Sequence, residues 1–454
     1  MFPFRFLAKP QAAVLLWCLA LFVYGIASGP LYRTESLRAI IGAESLRGNW
    51  LYPVLYGEPF LTKPPGHYAA IAACSLPFGE VTDWSSRIPS ALAATLTVLL
   101  MWRLLRDVLG ERSAFLASLL LPCSVLWLDK APSAEIDMNL VGWVTAALFQ
   151  FHRGRWTAAY VCLTGATLTK WTAPAFFFLT IVPLLAWRRE LHRLFEWRHL
   201  VAASLAAGLF ALWAAAVADR VGWEALAGTI RAEAAYRFNS PPKAKGYPYH
   251  ELATYPLLVI AAHLPVALFA IRTLRPSFLS SLDDRGRHVV QLLHCWVWPN
   301  LIFWTLVPNH NVRYILPLSP ALMALGAIGM FRGGSRVRVG LALGFLVMWL
   351  ILKIAFVEVA VSRRDRDARP AAAELRELVP PGEPLHLYKL KDEGVLFYFG
   401  RPAKRLHEPE PIPAGSFALL LQSEWDHRDR YGDVLLVRGL YDQQHDPIYL
   451  VRAK

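Results

Sequence analysis

Charge is scarce in this chain. Asp, Glu, Lys and Arg make up 18% of its 454 residues, against 55% hydrophobic ones, a balance that excludes an ordinary water-soluble globular surface. Cysteine is scarce as well: Cys18, Cys74, Cys123, Cys162 and Cys295 all lie inside apolar runs. Their spacings suit neither a disulfide framework nor a metal site, so they read as small buried hydrophobes. A dinucleotide-binding glycine loop, a P-loop, an HExxH helix and a serine elbow are missing from any supporting context, which argues against nucleotide-driven and hydrolytic chemistry. No internal repeat or low-complexity tract is present.

What the chain has is apolar length. Runs of about 15 to 22 residues, each close to the roughly 20 helical residues that cross a bilayer core, recur about eleven times. They fall at approximately 11–28, 86–106, 113–129, 138–152, 156–170, 171–187, 199–219, 253–272, 288–306, 314–331 and 338–360. The formal charge of +13 comes as short arginine clusters between these runs, not as one basic face, and points to membrane topology and away from nucleic acid. With the N-terminus in the cytoplasm, every short inside segment is basic. These segments hold Arg5 and Lys9, Arg103 to Arg112, Arg153 and Arg155, Arg188 to Arg198, Arg272 to Arg287, and Arg332 to Arg338. The first run is read as a retained signal anchor.

The expected fold is therefore a polytopic α-helical membrane protein with about 11 transmembrane helices over residues 1–360. Residues 29–85 form a first outer loop, in which a helix at 34–47 and the short apolar piece His67 to Phe78 lie along the interface. The tail 361–454 changes character. Its runs PLHLYKL, FALLLQS, DVLLVRGL and PIYLVRA read as strands, and RPAAAELREL and DEGVLFYFG as helices, giving a small extracytoplasmic α/β domain. The expected location is the inner (plasma) membrane, multi-pass, with the N-terminus cytoplasmic.

On this topology, ionisable residues distant in sequence gather at outer ends of spans. Glu35 lies in LYRTESLRAIIGAESLRGNW, Glu135 and Asp137 in LDKAPSAEIDMNL, Lys63 in GEPFLTKPPGHY, Lys170 in LTKWTAP, Arg237 in AEAAYRFNS, and His310, Arg313 and Tyr314 in VPNHNVRYILPLSP. A solvated carboxylate, a loop-end cap or a snorkelling lysine is the plain structural alternative for any one of them. Together they comprise carboxylates able to accept a proton and cations able to hold an anion, which suits a reaction with an anionic leaving group and a hydroxyl or amine nucleophile. Glycosyl transfer from a lipid phosphate fits, because nucleotide sugars are not supplied outside the cytoplasm.

Five blocks carry a family resemblance: 34–50, 57–68, 133–138, 168–174 and 313–320. In this order they resemble the GT-C glycosyltransferases of the ArnT-like and protein O-mannosyltransferase-like group, the glycosyltransferase 39 superfamily. The resemblance implies a polyprenyl-phosphate-linked sugar donor, an extracytoplasmic acceptor, and a catalytic carboxylate in the first outer loop, here Glu35 in place of the usual Asp. It gives the second acidic position to Asp137, with Glu135 beside it. Lys63, Lys170 and Arg237 are implied as phosphate-holding groups, and His67, Tyr68, Tyr249, His310, Arg313 and Tyr314 as further substrate-binding candidates. Two departures stand out: Thr62 replaces a Glu that many relatives carry before the lysine, removing a possible metal ligand, and Trp171 replaces a Gly. No cofactor is required on this reading; a divalent metal is chemically dispensable, since Lys and Arg can neutralise a monophosphate.

The reading is an integral membrane glycosyltransferase, inverting, acting on a hexosyl or pentosyl donor. Its rivals are a transporter or lipid flippase, whose charges would cluster at the membrane midplane beside broken helices, and a non-enzymatic envelope assembly protein that uses the tail as a binding module.

Overall fold

A computed structural model describes residues 10–239, 247–309, 311–362, 366–389 and 393–454. Arg5, Lys9 and His310, invoked above, lie outside the described residues. The chain forms two compact units: Met1–Ile26, Leu61–His67 and Ile88–Ile354 make the first, and Ala27–Phe60, Tyr68–Arg87 and Ala355–Lys454 the second.

The first unit is helical. All eleven apolar runs are largely helical, but their lengths sort them. Among the described residues five helices are long and apolar enough to cross a bilayer: Asp83–Leu120, Trp197–Val221, Asp284–Leu306, Val312–Phe331 and Arg336–Ala360. The pair Glu251–Ala261 and Val266–Leu274, bent by 110°, makes a sixth if taken as one span. Ile136–His152 and Trp156–Thr167, with 17 and 12 residues, reach only about 25 and 18 Å at 1.5 Å per residue, short of the hydrocarbon core. The runs expected at 86–106 and 113–129 are divided at Gly110, where Asp83–Leu120 is interrupted by a non-helical backbone whose φ of 71° suits glycine.

Burial shows which helices face lipid. In the most hydrophobic window of Val312–Phe331, 94% of residues are buried, against 17% for Trp197–Val221 and 28% for Arg336–Ala360. The outer helices expose Leu205, Leu209, Leu212, Val347 and Ile351, which in a bilayer meet acyl chains at no cost. The central helix is packed through small residues. Gly326 and Gly329 sit against the carbonyl oxygens of Val266 and Phe269, where any Cβ would collide with backbone, the close approach that glycine permits between helices. Some of the buried polar groups in this unit bridge its helices: Asn300 Nδ2 donates to Thr180 Oγ1 at 3.1 Å, and Trp296 Nε1 to the Pro317 carbonyl at 2.8 Å.

The second unit contains the helix Thr34–Leu46, a two-stranded hairpin of β1 (Val54–Leu55) and β2 (Glu58–Pro59), and a five-stranded sheet. The sheet comprises β3 (Leu385–Leu387), β4 (Ala403–Arg405), β5 (Phe417–Leu421), β6 (Val434–Tyr441) and β7 (Pro447–Ala453), in the order β4-β3-β5-β7-β6. β3 is parallel to β4 and β5; β7 is antiparallel to β5 and β6. The four apolar runs read as strands are β3, β5, β6 and β7. The two helical candidates are Arg369–Leu378 and Glu393–Phe399. Alternation along β5 sends Phe417 and Leu419 into one core with Leu375, Val395 and Phe399, and Ala418 and Leu420 into another with Tyr388 and Tyr431.

The glycine packing yields a test. Gly329→Val forces a methyl into the Phe269 carbonyl, and overpacking of this kind costs about 1–3 kcal/mol. The variant is expected to unfold at a clearly lower temperature in detergent, whereas Gly208→Val, with open space around it, leaves the transition unmoved.

Candidate active site

Hydrogen bonds tie three of the five blocks together in the first unit. Gly66 N donates to the Leu168 carbonyl at 2.7 Å, and a Cβ on Gly66 would stand 2.6 Å from that oxygen, so the approach needs glycine. Trp171 Nε1 donates to the Thr62 carbonyl at 3.1 Å. The KPP segment is thereby fixed against the turn that carries Lys170, and the two residues that depart from the family pattern are joined in one contact.

His67 makes the third tie. It is fully buried, and Asn139 Nδ2, which can only donate, lies 2.6 Å from its Nδ1. The proton therefore sits on Nε2, 3.1 Å from the Ala134 carbonyl. His67 thus links the KPP segment to the loop of Glu135 and Asp137.

The acids and cations meet at helix ends. Asp137 lies in the first turn of Ile136–His152, where the helix dipole favours an anion, and Lys170 Nζ donates to its Oδ1 at 2.7 Å with both side chains almost fully buried. Glu135, the N-cap of that helix, has Oε1 3.8 Å from Arg313 Nη1 and 3.9 Å from Lys130 Nζ. The Tyr314 ring meets two cations: Arg237 Cζ lies 4.2 Å and Lys170 Nζ 4.9 Å from its centroid, both favourable cation–π distances. Lys63 Nζ is bound to Glu233 Oε2 at 2.6 Å and donates to its neighbour's carbonyl on Thr62 at 2.8 Å.

Lys63, Lys170 and Arg237 open onto one cavity of about 260 Å³. Its other walls are Glu233 and a mostly apolar set including Trp171, Ile230, Phe303, Trp304 and Val307. Arg237 Nη1 is buried there with no hydrogen-bond partner among the described residues. A cavity lined by cations together with aromatic and aliphatic walls suits an anionic head on an apolar tail.

Other candidates sit elsewhere. Tyr249 is 75% exposed, its ring against Tyr247. Arg313 serves Glu135 and does not line the cavity. Glu35 and Tyr68 belong to the second unit. There Arg38 Nη1 donates to Tyr68 Oη at 2.6 Å. Arg87 grips Glu35 with both arms of its fork, Nε to Oε1 at 2.9 Å and Nη2 to Oε2 at 3.0 Å, and also donates to the carbonyls of Ser28, Gly29 and Pro30. In the same unit Tyr398 Oη donates to Asp83 at 2.8 Å; burial and the Asp83 carboxylate push this phenol well above its ordinary range. Among the described residues no group of three His, Cys, Asp or Glu is placed to hold a metal.

Sequence reasoning missed Arg87 and Glu233. Glu233 had a signal: it stands four residues before Arg237, one helical turn away on the same face. Arg87 had a weaker one, a cation at the outer end of an apolar run, against the positive-inside bias.

Comparison with known proteins shows what the chain and its fold are similar to. The family model described as dolichyl-phosphate-mannose-protein mannosyltransferase matches residues 62–215. A protein of Aquifex aeolicus without a described activity is 24% identical over 78% of this chain and 79% of its own. The undecaprenyl phosphate-alpha-4-amino-4-deoxy-L-arabinose arabinosyl transferase of Pseudomonas aeruginosa is 27% identical over 72% of this chain, which spans 64% of that relative's length. Among solved structures, ArnT from Cupriavidus metallidurans bound to undecaprenyl phosphate superposes with a TM-score of 0.76 at 16% identity, over 96% of this chain and 97% of that one. The GT-C fold and the resemblance read from the five blocks are borne out.

The buried pair gives a second test. Asp137→Asn leaves the Lys170 ammonium buried without its counter-ion, which costs about 3–5 kcal/mol. The double variant Asp137→Leu/Lys170→Met is expected to be less destabilised than the sum of its single variants, read by unfolding in detergent.

Proposed function

We propose that the chain is an integral membrane glycosyltransferase that moves a sugar from a polyprenyl-phosphate carrier to an extracytoplasmic lipid, glycan or protein acceptor, with inversion at the anomeric carbon. The observation that carries this reading is the gathering of Lys63, Lys170 and Arg237 around one apolar-walled cavity. The fold shared with a transferase solved with undecaprenyl phosphate, and the arabinosyl-transferring relatives, support it.

The phosphate head of the donor lies against the three cations and its isoprenoid chain along the Trp171, Phe303 and Trp304 side. The acceptor hydroxyl or amine adds to the anomeric carbon, its proton passes to a carboxylate, and the bond from that carbon to the phosphate oxygen breaks with its electron pair left on the phosphate. Lys63, Lys170 and Arg237 stabilise the charge that grows there. Asp137 holds the Lys170 ammonium in place. Glu35 takes the proton-accepting role on the strength of its place in the RTESLRA block, with Arg87 fixing the orientation of its oxygens. Phosphate neutralisation by Lys and Arg leaves a metal dispensable. The protein sits in the inner membrane with its N-terminus cytoplasmic and residues 361–454 extracytoplasmic.

The bent pair at Glu251–Leu274 is the feature a transporter reading would use. Against it, Asp137, Lys170 and Arg313 all stand at or beside helix starts and ends, where a translocation path would place its charges in mid-span.

With labelled polyprenyl-phosphate sugar as donor, Glu35→Gln is expected to lower kcat by about a hundredfold or more while donor KM stays near wild type. Lys63→Met and Arg237→Met are expected to raise donor KM by about tenfold or more, as loss of a charge-assisted phosphate contact predicts. Undiminished turnover in the Glu35 variant removes the base assignment. Unchanged KM in both cation variants removes the phosphate site.

A further inference from the structure

The cavity holds an acid where an anion is to bind. Glu233 Oε2 lies 2.6 Å from Lys63 Nζ, with 24% of the Glu233 side chain and 14% of the Lys63 side chain exposed. A carboxylate at this place competes with the lipid phosphate for the same ammonium, so it weakens binding of every anion. Such a group needs a reason beyond affinity.

The charges suggest one. Lys63, Lys170 and Arg237 contribute three positive charges, and Glu233 and Asp137, each paired with one lysine, two negative ones. One positive charge remains, which matches a phosphodiester such as the donor. The transfer step breaks the bond between sugar carbon and phosphate oxygen and leaves a phosphomonoester, whose charge at neutral pH is about −1.5 to −2. The product is therefore more negative than the substrate while the site stays the same. In a part-buried cavity an uncompensated charge is costly, and without Glu233 the count would favour the product.

We propose that Glu233 is a specificity-determining counter-charge that holds the site's preference for the singly charged donor over the more highly charged polyprenyl-phosphate product, and so speeds product release; the inference rests on the donor reading above. While the donor is bound, Lys63 stays shared with Glu233 and Arg237, with Nη1 free of a hydrogen-bond partner among the described residues, meets the phosphodiester. As charge builds on the leaving oxygen, Lys63 turns toward it. Glu233 then draws the ammonium back, and the monoester leaves. The position of Glu233 one turn before Arg237 on the helix Trp223–Phe238 puts both groups at the phosphate end of the cavity.

The test compares the two lipids on the whole purified protein. Binding of polyprenyl phosphate and of the polyprenyl-phosphate sugar is measured for wild type, Glu233→Gln and Glu233→Asp, beside product inhibition of transfer. In Glu233→Gln the product is expected to bind about tenfold tighter relative to the donor, the scale of losing one close charge partner. Product inhibition rises and kcat falls, while Glu233→Asp keeps the wild-type ratio. A role limited to anchoring the helix would lower the unfolding temperature and leave the ratio of the two affinities unmoved, and that result overturns the proposal. If wild type binds neither lipid, the donor reading fails with it; if wild type binds both and the ratio does not respond to Glu233→Gln, only the counter-charge role falls.

Discussion

A charge placed among apolar helix ends survives only beside an opposite charge, and this constraint organises the site. Lys170 is buried together with Asp137, half-buried Lys63 meets Glu233, and half-buried Arg237 has the Tyr314 ring 4.2 Å from its Cζ. A buried ion pair is a poor source of stability, since the cost of removing two ions from water offsets most of their attraction, and an apolar pair of the same volume often does as well. One buried pair, Asp137–Lys170, and one half-buried pair, Lys63–Glu233, that bring both lysines to one cavity therefore point to use.

The scaffold answers the same constraint. Like charges cannot be held close unless the backbone that carries them is stiff, and here three loops are fastened by hydrogen bonds through Gly66, Trp171 and His67. One of these loops leads into Ile136–His152, which packs against the start of Val312–Phe331, and the glycines further along that helix let the Val266–Leu274 backbone approach. His67 shows how a residue type can mislead: in sequence it is a titratable group beside a candidate lysine, and in the structure both ring nitrogens are spent on holding two loops together.

Much of this was legible in the sequence, for reasons that are physical. A run of twenty apolar residues has few other uses, so the helices were found; the period-two runs of the tail marked β3, β5, β6 and β7. Lys63, Lys170 and Arg237 stood out because cations against the positive-inside bias need an explanation. What was not legible depends on three-dimensional closure. Helix length is one case: Trp156–Thr167 is apolar enough to look like a span, but it ends after 12 residues. The edge strand β4, Ala403–Arg405, carries two charged residues among its three, and a strand that short has no periodicity to read. Glu233 and Arg87 are ordinary surface residues in sequence and become partners of Lys63 and Glu35 only once the helices are placed.

The two candidate carboxylates are each held by a cation, but differently. Asp137 faces an ammonium, a point charge whose donors rotate, and the pair is almost sealed from water. Glu35 faces a guanidinium that takes both of its oxygens in a planar fork and is itself pinned by three backbone carbonyls. An ammonium can turn toward a new anion and drag its carboxylate along; the fork cannot. The Lys170 ammonium is thus the freer of the two cations, whereas the Arg87 guanidinium holds both oxygens of Glu35 in one orientation. Glu35 reaches one methylene further than an Asp would, and the Arg87 fork fixes both of its terminal oxygens.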